Sequence, residues 1–150
     1  MTSTLYQIAA MLGVAVVFAD LTRLGRDGDY NAKTNTIRLQ EGMSHRLLRS
    51  VFAHELCHAV FGDVPSKFGP VNAKQERRAD EWAALRLIDH DDYREVEHLR
   101  DGNLSLMAQD LEVIDDIVRA YQRVLQRIGD TTYVAPRMGA GQYHHRVEVQ

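Results

Sequence analysis

The chain has 150 residues, 45% of them hydrophobic and 26% charged, which suits one globular domain and argues against a disordered or fibrous chain. A formal net charge of -3 gives no basis for a protein that coats nucleic acid or an anionic membrane. The one cysteine, Cys57, excludes an intramolecular disulfide and fits a reducing compartment.

Leu5, Ile8, Ala9 and Leu12 fall at i, i+3, i+4 and i+7, one face of a helix, and Gly13 supplies a stop. Residues 14–19 are rich in β-branched side chains and read as a buried strand. Residues 8–19 together are as long as a signal-peptide core, but no Lys or Arg precedes them. The run is also too short to cross a bilayer. The expectation is a cytoplasmic protein with no membrane segment. Residues 25–29 read as a turn or loop, and Tyr30 as the start of a second strand. Ile37 and Leu39 alternate with Arg38 and Gln40 as a half-buried third strand.

Ser44 is an N-cap, and the helix after it runs to about Phe61. Gly62, Pro65, Gly69 and Pro70 mark a loop. A second helix covers about 72–88 and a shorter one 91–99, followed by a turn at Asp101-Gly102-Asn103. The last helix, about 113–128, carries Ile114, Ile117, Val118, Tyr121, Val124, Leu125 and Ile128 on one stripe. This order predicts an α+β fold, with a small N-terminal sheet followed by a helical C-terminal part. Residues 1–128 form the domain and 129–150 a turn-rich tail.

His54-Glu55-Leu56-Cys57-His58 is an HExxH motif. Residues i and i+4 lie about 40° apart around a helix, so both imidazoles can grip one ion. Glu55 sits about 100° from His54. There it leaves the coordination site free and still reaches a water beside the metal, as a general base must. The composition predicts roughly 0.02 chance occurrences of the motif. Two histidines and a glutamate on a solvated helix would carry the same letters. This helix is too apolar for that: Leu47, Leu48, Val51, Phe52, Leu56, Ala59, Val60 and Phe61 cover most of its circumference. Buried imidazoles and a carboxylate need partners, and a metal supplies them.

A catalytic zinc site keeps three protein ligands and an open fourth position. The best third ligand is Glu76, in Glu76-Arg77-Arg78-Ala79-Asp80. Glu76 and Asp80 share a helix face with Ala73, Ala83 and Leu87, and the alanines let this helix approach the His54 helix. Glu76 then binds Zn2+, while Asp80 hydrogen-bonds the far nitrogen of a histidine ligand. The plain alternative for the pair is a solvated acidic face.

HExxH on one helix, followed by ExxAD and small residues on the next, resembles the ImmA/IrrE-family metallopeptidases. The stretch from Glu76 through Trp82, Ala83 and Ala84 to Leu85 is especially similar to the small phage and actinobacterial members. The resemblance covers roughly residues 5–128. It implies a compact zincin-like domain with HExxH on a buried helix. It also implies zinc-dependent cleavage of a protein, usually a helix-turn-helix repressor of phage, mobile-element or stress genes. Two departures stand out. The family often has Gly before the second histidine, where this chain has Cys57; its sulfur reads as small buried packing, with a ligand role as the alternative. Met-Pro often follows the ExxAD helix, where this chain has Leu87-Ile88-Asp89-His90.

Residues 106–122 faintly resemble a helix-turn-helix, but Asp115 and Asp116 open the second helix and would repel phosphates. The expectation is a packing pair and no direct nucleic-acid contact. His144 and His145 read as solvated, and His45, His90 and His98 are isolated. His90 or Tyr93 becomes an oxyanion stabiliser if the loop after Ile88 folds over the cleft. The function expected is a zinc endopeptidase acting on a DNA-binding repressor, with Glu55 as base. The alternatives are a zinc-containing module that binds a repressor without cutting it, and a DNA-binding regulator.

Overall fold

Gly13, at a φ of 68°, cuts the apolar run of residues 8–19 in two, ending helix α1 (Thr2–Met11) and leading into strand β1 (Ala15–Ala19). The computed structural model describes residues 2–127. Among them no helix is long and apolar enough to cross a membrane. The run predicts a buried strand, and here the structure differs. The sheet order is β1-β3-β2, so β1 is an edge strand, with Val17 42% and Phe18 48% exposed. A short apolar run specifies a strand but not its rank in the sheet.

Strand β3 (Thr36–Gln40) lies between β1, to which it is parallel, and β2 (Gly28–Asn31), to which it is antiparallel. The loop predicted at 25–29 therefore yields to β2 at Gly28. Ile37 and Leu39 are fully buried while Arg38 stays partly exposed, the alternation of a sheet with one covered face. In the β2–β3 connection the Asn31 side chain accepts from the Lys33 and Thr34 amides. Asn35, at a φ of 50°, donates its amide to the carbonyls of Leu12 and Gly13 and so fastens the hairpin tip to the end of α1.

Helix α2 (His45–Phe61) starts at Ser44, whose hydroxyl accepts from the Leu47 amide at 3.2 Å. It ends at Gly62, which adopts a φ of 62°. Gly69 and Pro70, read as loop, instead open α3 (Gly69–Leu87), because proline suits a first helical turn whose amides have no partner in the helix. Asp89 caps α4 (His90–Leu99), and Asn103 caps α5 (Leu104–Asp110), which precedes α6 (Asp115–Arg127).

Helices α2 and α3 pack together with Ala53, Cys57, Ala79, Ala83 and Ala84 all fully buried. Small side chains shorten the distance between helix axes, which brings the motif helix and the acidic helix into reach of each other. Buried Arg49 donates to the carbonyls of Leu87, Leu111 and Glu112, tying α2 to the end of α3 and to the turn before α6. Glu81 accepts from Arg123 and Arg127, fastening α3 to α6. The α5–α6 pair buries Met107, Ala108, Val113, Ile117 and Val118 and serves as a packing pair.

Candidate metal centre

One turn of α2 brings His54 and His58 to the same side. Their rings are 4.8 Å apart and nearly perpendicular, and the two Nε2 atoms are 3.1 Å apart. Glu76 arrives from α3, with Oε2 2.7 Å from His54 Nε2 and Oε1 3.3 Å from His58 Nε2. Two nitrogen or oxygen ligands of a tetrahedral zinc are separated by about 3.3 Å, given bonds near 2.0–2.1 Å. The separations and the chemistry of the donors both fit one ion, so these three residues could hold a metal. The His54 and His58 side chains are 17% and 10% exposed, and Glu76 is 60% exposed, so the group is walled on the protein side and open toward the cleft.

Each histidine is anchored through its other nitrogen. Asp80 Oδ1 lies 2.7 Å from His54 Nδ1, and Asp63 Oδ2 lies 2.9 Å from His58 Nδ1. An ionised carboxylate only accepts, so each Nδ1 carries the hydrogen and each Nε2 is left to face Glu76. Asp63 is the residue the sequence reading missed. It follows Gly62 directly, and its own amide donates to the His58 carbonyl at 2.9 Å, so the cap of α2 returns the chain over its last turn. Arg78 donates to both Asp63 oxygens and lies over the Phe61 ring at 4.1 Å. A Gly-Asp pair four and five positions after the second histidine was the available signal.

Charge in the site is strongly shifted. Burial opposes charge on His54, but Asp80 and Glu76, helped by Glu55, outweigh it and raise its pKa to about 10. His58 is raised in the same way, burial opposing and Glu76 and Asp63 prevailing. Glu76 is driven far below the carboxylate range by hydrogen bonds from both imidazoles. Burial disfavours the Asp63 carboxylate, yet Arg78 and His58 hold its pKa below the ordinary value. The carboxylates around the two imidazoles thus favour positive charge at this place, which is what a bound cation would supply. Glu55 goes the other way: burial raises it above the ordinary carboxylate value, against the pull of His54 and His58.

Glu55 lies beneath β2, where the backbone of Gly28 comes close. A Cβ at Gly28 would stand 2.7 Å from Val51 Cγ1, 3.1 Å from the Arg38 carbonyl and 3.4 Å from Glu55 Cγ. Only glycine permits this strand to lie so near the motif helix. Two lobes of one cleft meet at Gly28, Glu55 and Glu76. The lobe beside His58 is about 420 Å³ and includes Tyr30, Val64 and Pro65. The lobe beside His54 is about 300 Å³ and includes Asp27, Ile114 and Asp116.

The chain matches the family model of peptidase M78, the IrrE N-terminal-like domain, over residues 9–120. The chain belongs to that family. No curated protein and no solved structure matches it. The M78 match runs from α1 into α6 and takes in the whole constellation of Glu55, His54, His58, Glu76, Asp80 and Asp63. M78 is a peptidase family, which agrees with a group of donors able to hold a metal.

At this M78 centre the packing reading of Cys57 stands, and the oxyanion reading of His90 or Tyr93 changes. Cys57 is fully buried, its Sγ lies 3.9 Å from the Arg78 carbonyl, and burial pushes its pKa up to about 11. It therefore faces α3 as packing and stands outside the donor group. His90 and Tyr93 do not line either lobe of the cleft. Tyr93 is fully buried against Tyr121, and His90 Nδ1 pairs with the Tyr121 hydroxyl at 2.9 Å. The capped turn at Asp89 starts α4 at once and leaves no loop to fold over the site. His144 and His145 lie outside the described residues.

Proposed function

We propose that this chain is a zinc-dependent endopeptidase acting in the cytoplasm on one or a few protein partners, foremost a DNA-binding repressor. The observation that carries the reading is the position of Glu55. It is a buried carboxylate with a raised pKa at the junction of both lobes, beside the donor trio and under an edge strand. A purely structural metal site has no use for a titratable base at that place.

His54, His58 and Glu76 would hold the ion. When bound, zinc supplies Lewis acidity that polarises a peptide carbonyl and acidifies a water. Glu55 Oε takes a proton from the attacking water and later delivers it to the amine leaving group, and burial, by raising its pKa, makes it a stronger proton acceptor. The outer edge of β2, unpaired among the described residues, can pair with an extended segment of substrate, so that the scissile bond lies over Glu55 with side chains in both lobes. Asp29 on this strand is paired with Arg38 and Arg26, so its charge is balanced without the substrate. Membership of a peptidase family supports peptide hydrolysis. The repressor as substrate rests on the resemblance to ImmA/IrrE metallopeptidases.

The test is to incubate zinc-loaded protein with candidate repressors encoded nearby, with casein, and with a chelator as control. The expected result is chelator-sensitive cleavage of one repressor, abolished by Glu55→Gln, and little digestion of casein. Rapid digestion of casein would reject narrow specificity. A repressor that is bound but stays intact would favour a binding module.

A further inference from the structure

We infer that Asp63 is a positioning residue for His58, selecting the ring tautomer that leaves Nε2 free for a metal, with Arg78 clamping Asp63 in place. The inference rests on the reading of His54, His58 and Glu76 as a metal centre.

The chain's path sets the contact. Gly62 takes a left-handed conformation that ends α2, and this turns Asp63 back over the last helical turn. Its amide donates to the His58 carbonyl, and its carboxylate meets His58 Nδ1 at 2.9 Å, so backbone and side chain of one residue grip the same histidine. The Asp63 side chain is only 9% exposed. A carboxylate so far out of water needs cationic or donor partners, and it has two, Arg78 and His58. Arg78 is itself steadied by lying over Phe61, the last residue of α2. The whole assembly uses local residues of α2 and one long side chain from α3.

The chemistry follows from what each group can donate. A carboxylate offers no hydrogen, so the ring beside it must present Nδ1–H, and in the neutral ring the lone pair is then on Nε2. An amide in the same place could rotate and donate, allowing the opposite tautomer, with hydrogen on Nε2 where the metal must sit. Arg78, donating to both oxygens, fixes the carboxylate in direction. The arrangement parallels Asp80 on His54 but comes from a different element. The two ligands are thus held independently, one from the α2 cap and one from α3.

The experiment compares metal-free wild-type protein, Asp63→Asn, Arg78→Gln and the double variant. Zinc affinity is read by competition with a chromophoric chelator. The ring tautomer of His58 is read from nitrogen–hydrogen correlation spectra at alkaline pH. Asp63→Asn should bind zinc about 10- to 100-fold more weakly and should show a mixture of His58 tautomers. Arg78→Gln should lose less, and the double variant should lose no more than Asp63→Asn alone, since both act through one contact. A role in capping alone would lower the thermal midpoint and leave affinity and tautomer unchanged; that result overturns the inference while the metal centre stands. If Asp63→Asn does not fold, Arg78→Gln decides: full zinc affinity with an unmixed tautomer overturns the clamp. Wild-type protein that takes up no zinc removes the metal-centre reading, and this inference with it.

Discussion

Asp80 Oδ1 lies 2.7 Å from His54 Nδ1, and Glu76, one helical turn earlier on the same helix, reaches the other nitrogen of that ring. A single face of α3 therefore supplies a donor to the metal group and the anchor of a neighbouring donor. Asp80→Ala should weaken zinc binding by about 10- to 100-fold with secondary structure intact. Chelator competition measures the affinity and far-ultraviolet circular dichroism the fold. Affinity within threefold of wild type would show that packing alone holds His54.

Ligands and base should separate cleanly. His54→Ala, His58→Ala and Glu76→Ala each remove a donor and should leave less than stoichiometric zinc after dialysis. Glu55→Gln removes a proton acceptor while keeping the side chain's shape, and so should retain zinc and lose about 10²–10⁴-fold in cleavage rate. Metal analysis beside a cleavage assay distinguishes the two classes. Stoichiometric, tightly held zinc in Glu76→Ala would pass the third donor role to another acid.

Gly28→Ala puts a methyl group 2.7 Å from Val51 Cγ1 and 3.1 Å from a backbone oxygen, so β2 and α2 must separate. The cost should be about 1–3 kcal/mol, as for other overpacked sites. Urea denaturation measures it. Adding Val51→Ala makes room, and the double variant should recover part of the loss, a coupling expected of residues in contact. Equal stability of Gly28→Ala and wild type would mean that the strand moves freely.

The α3–α6 tie should respond to acid. Arg127, with Arg123, holds the Glu81 pKa below its ordinary value. A depressed folded pKa gives stability that is complete above the unfolded pKa of 4.5 and is lost as pH falls through the lower folded value. Metal-free protein should therefore lose stability below about pH 4.5, and Glu81→Gln should lose less over the same range. Denaturation midpoints between pH 6 and pH 3 test this, and identical slopes for the two proteins would contradict it.

What was legible in the sequence was what local rules determine. The start of α2 follows from a serine and its spacing to the first helical amides. HExxH is contiguous, and Glu76 with Asp80 repeats at one helical turn among alanines, so a site spanning 26 residues could be read from two short patterns. What escaped depends on how elements meet. Gly28 reads like any turn glycine until Val51 lies against it. The apolar side chains of β1 suggest burial, yet the strand's place at the edge is decided by pairing with β3. Asp63 reads as a loop acid because its partner is set by a cap that folds back on itself. Phe61, counted as part of a buried helix, is 53% exposed and carries Arg78 on its ring.

The hold of Arg123 and Arg127 on Glu81 bears on the order in which the molecule is completed. Glu81 follows Asp80 immediately, so the rotation of α3 at the metal face is tied to α6, a helix made after it. Every donor is synthesised well before the residues that hold the donor-bearing helix in its final rotation. A chain made only as far as α5 thus carries all three candidate donors on an unsecured helix. The candidate metal centre is then completed when α6 packs against α3, not when the motif itself is made.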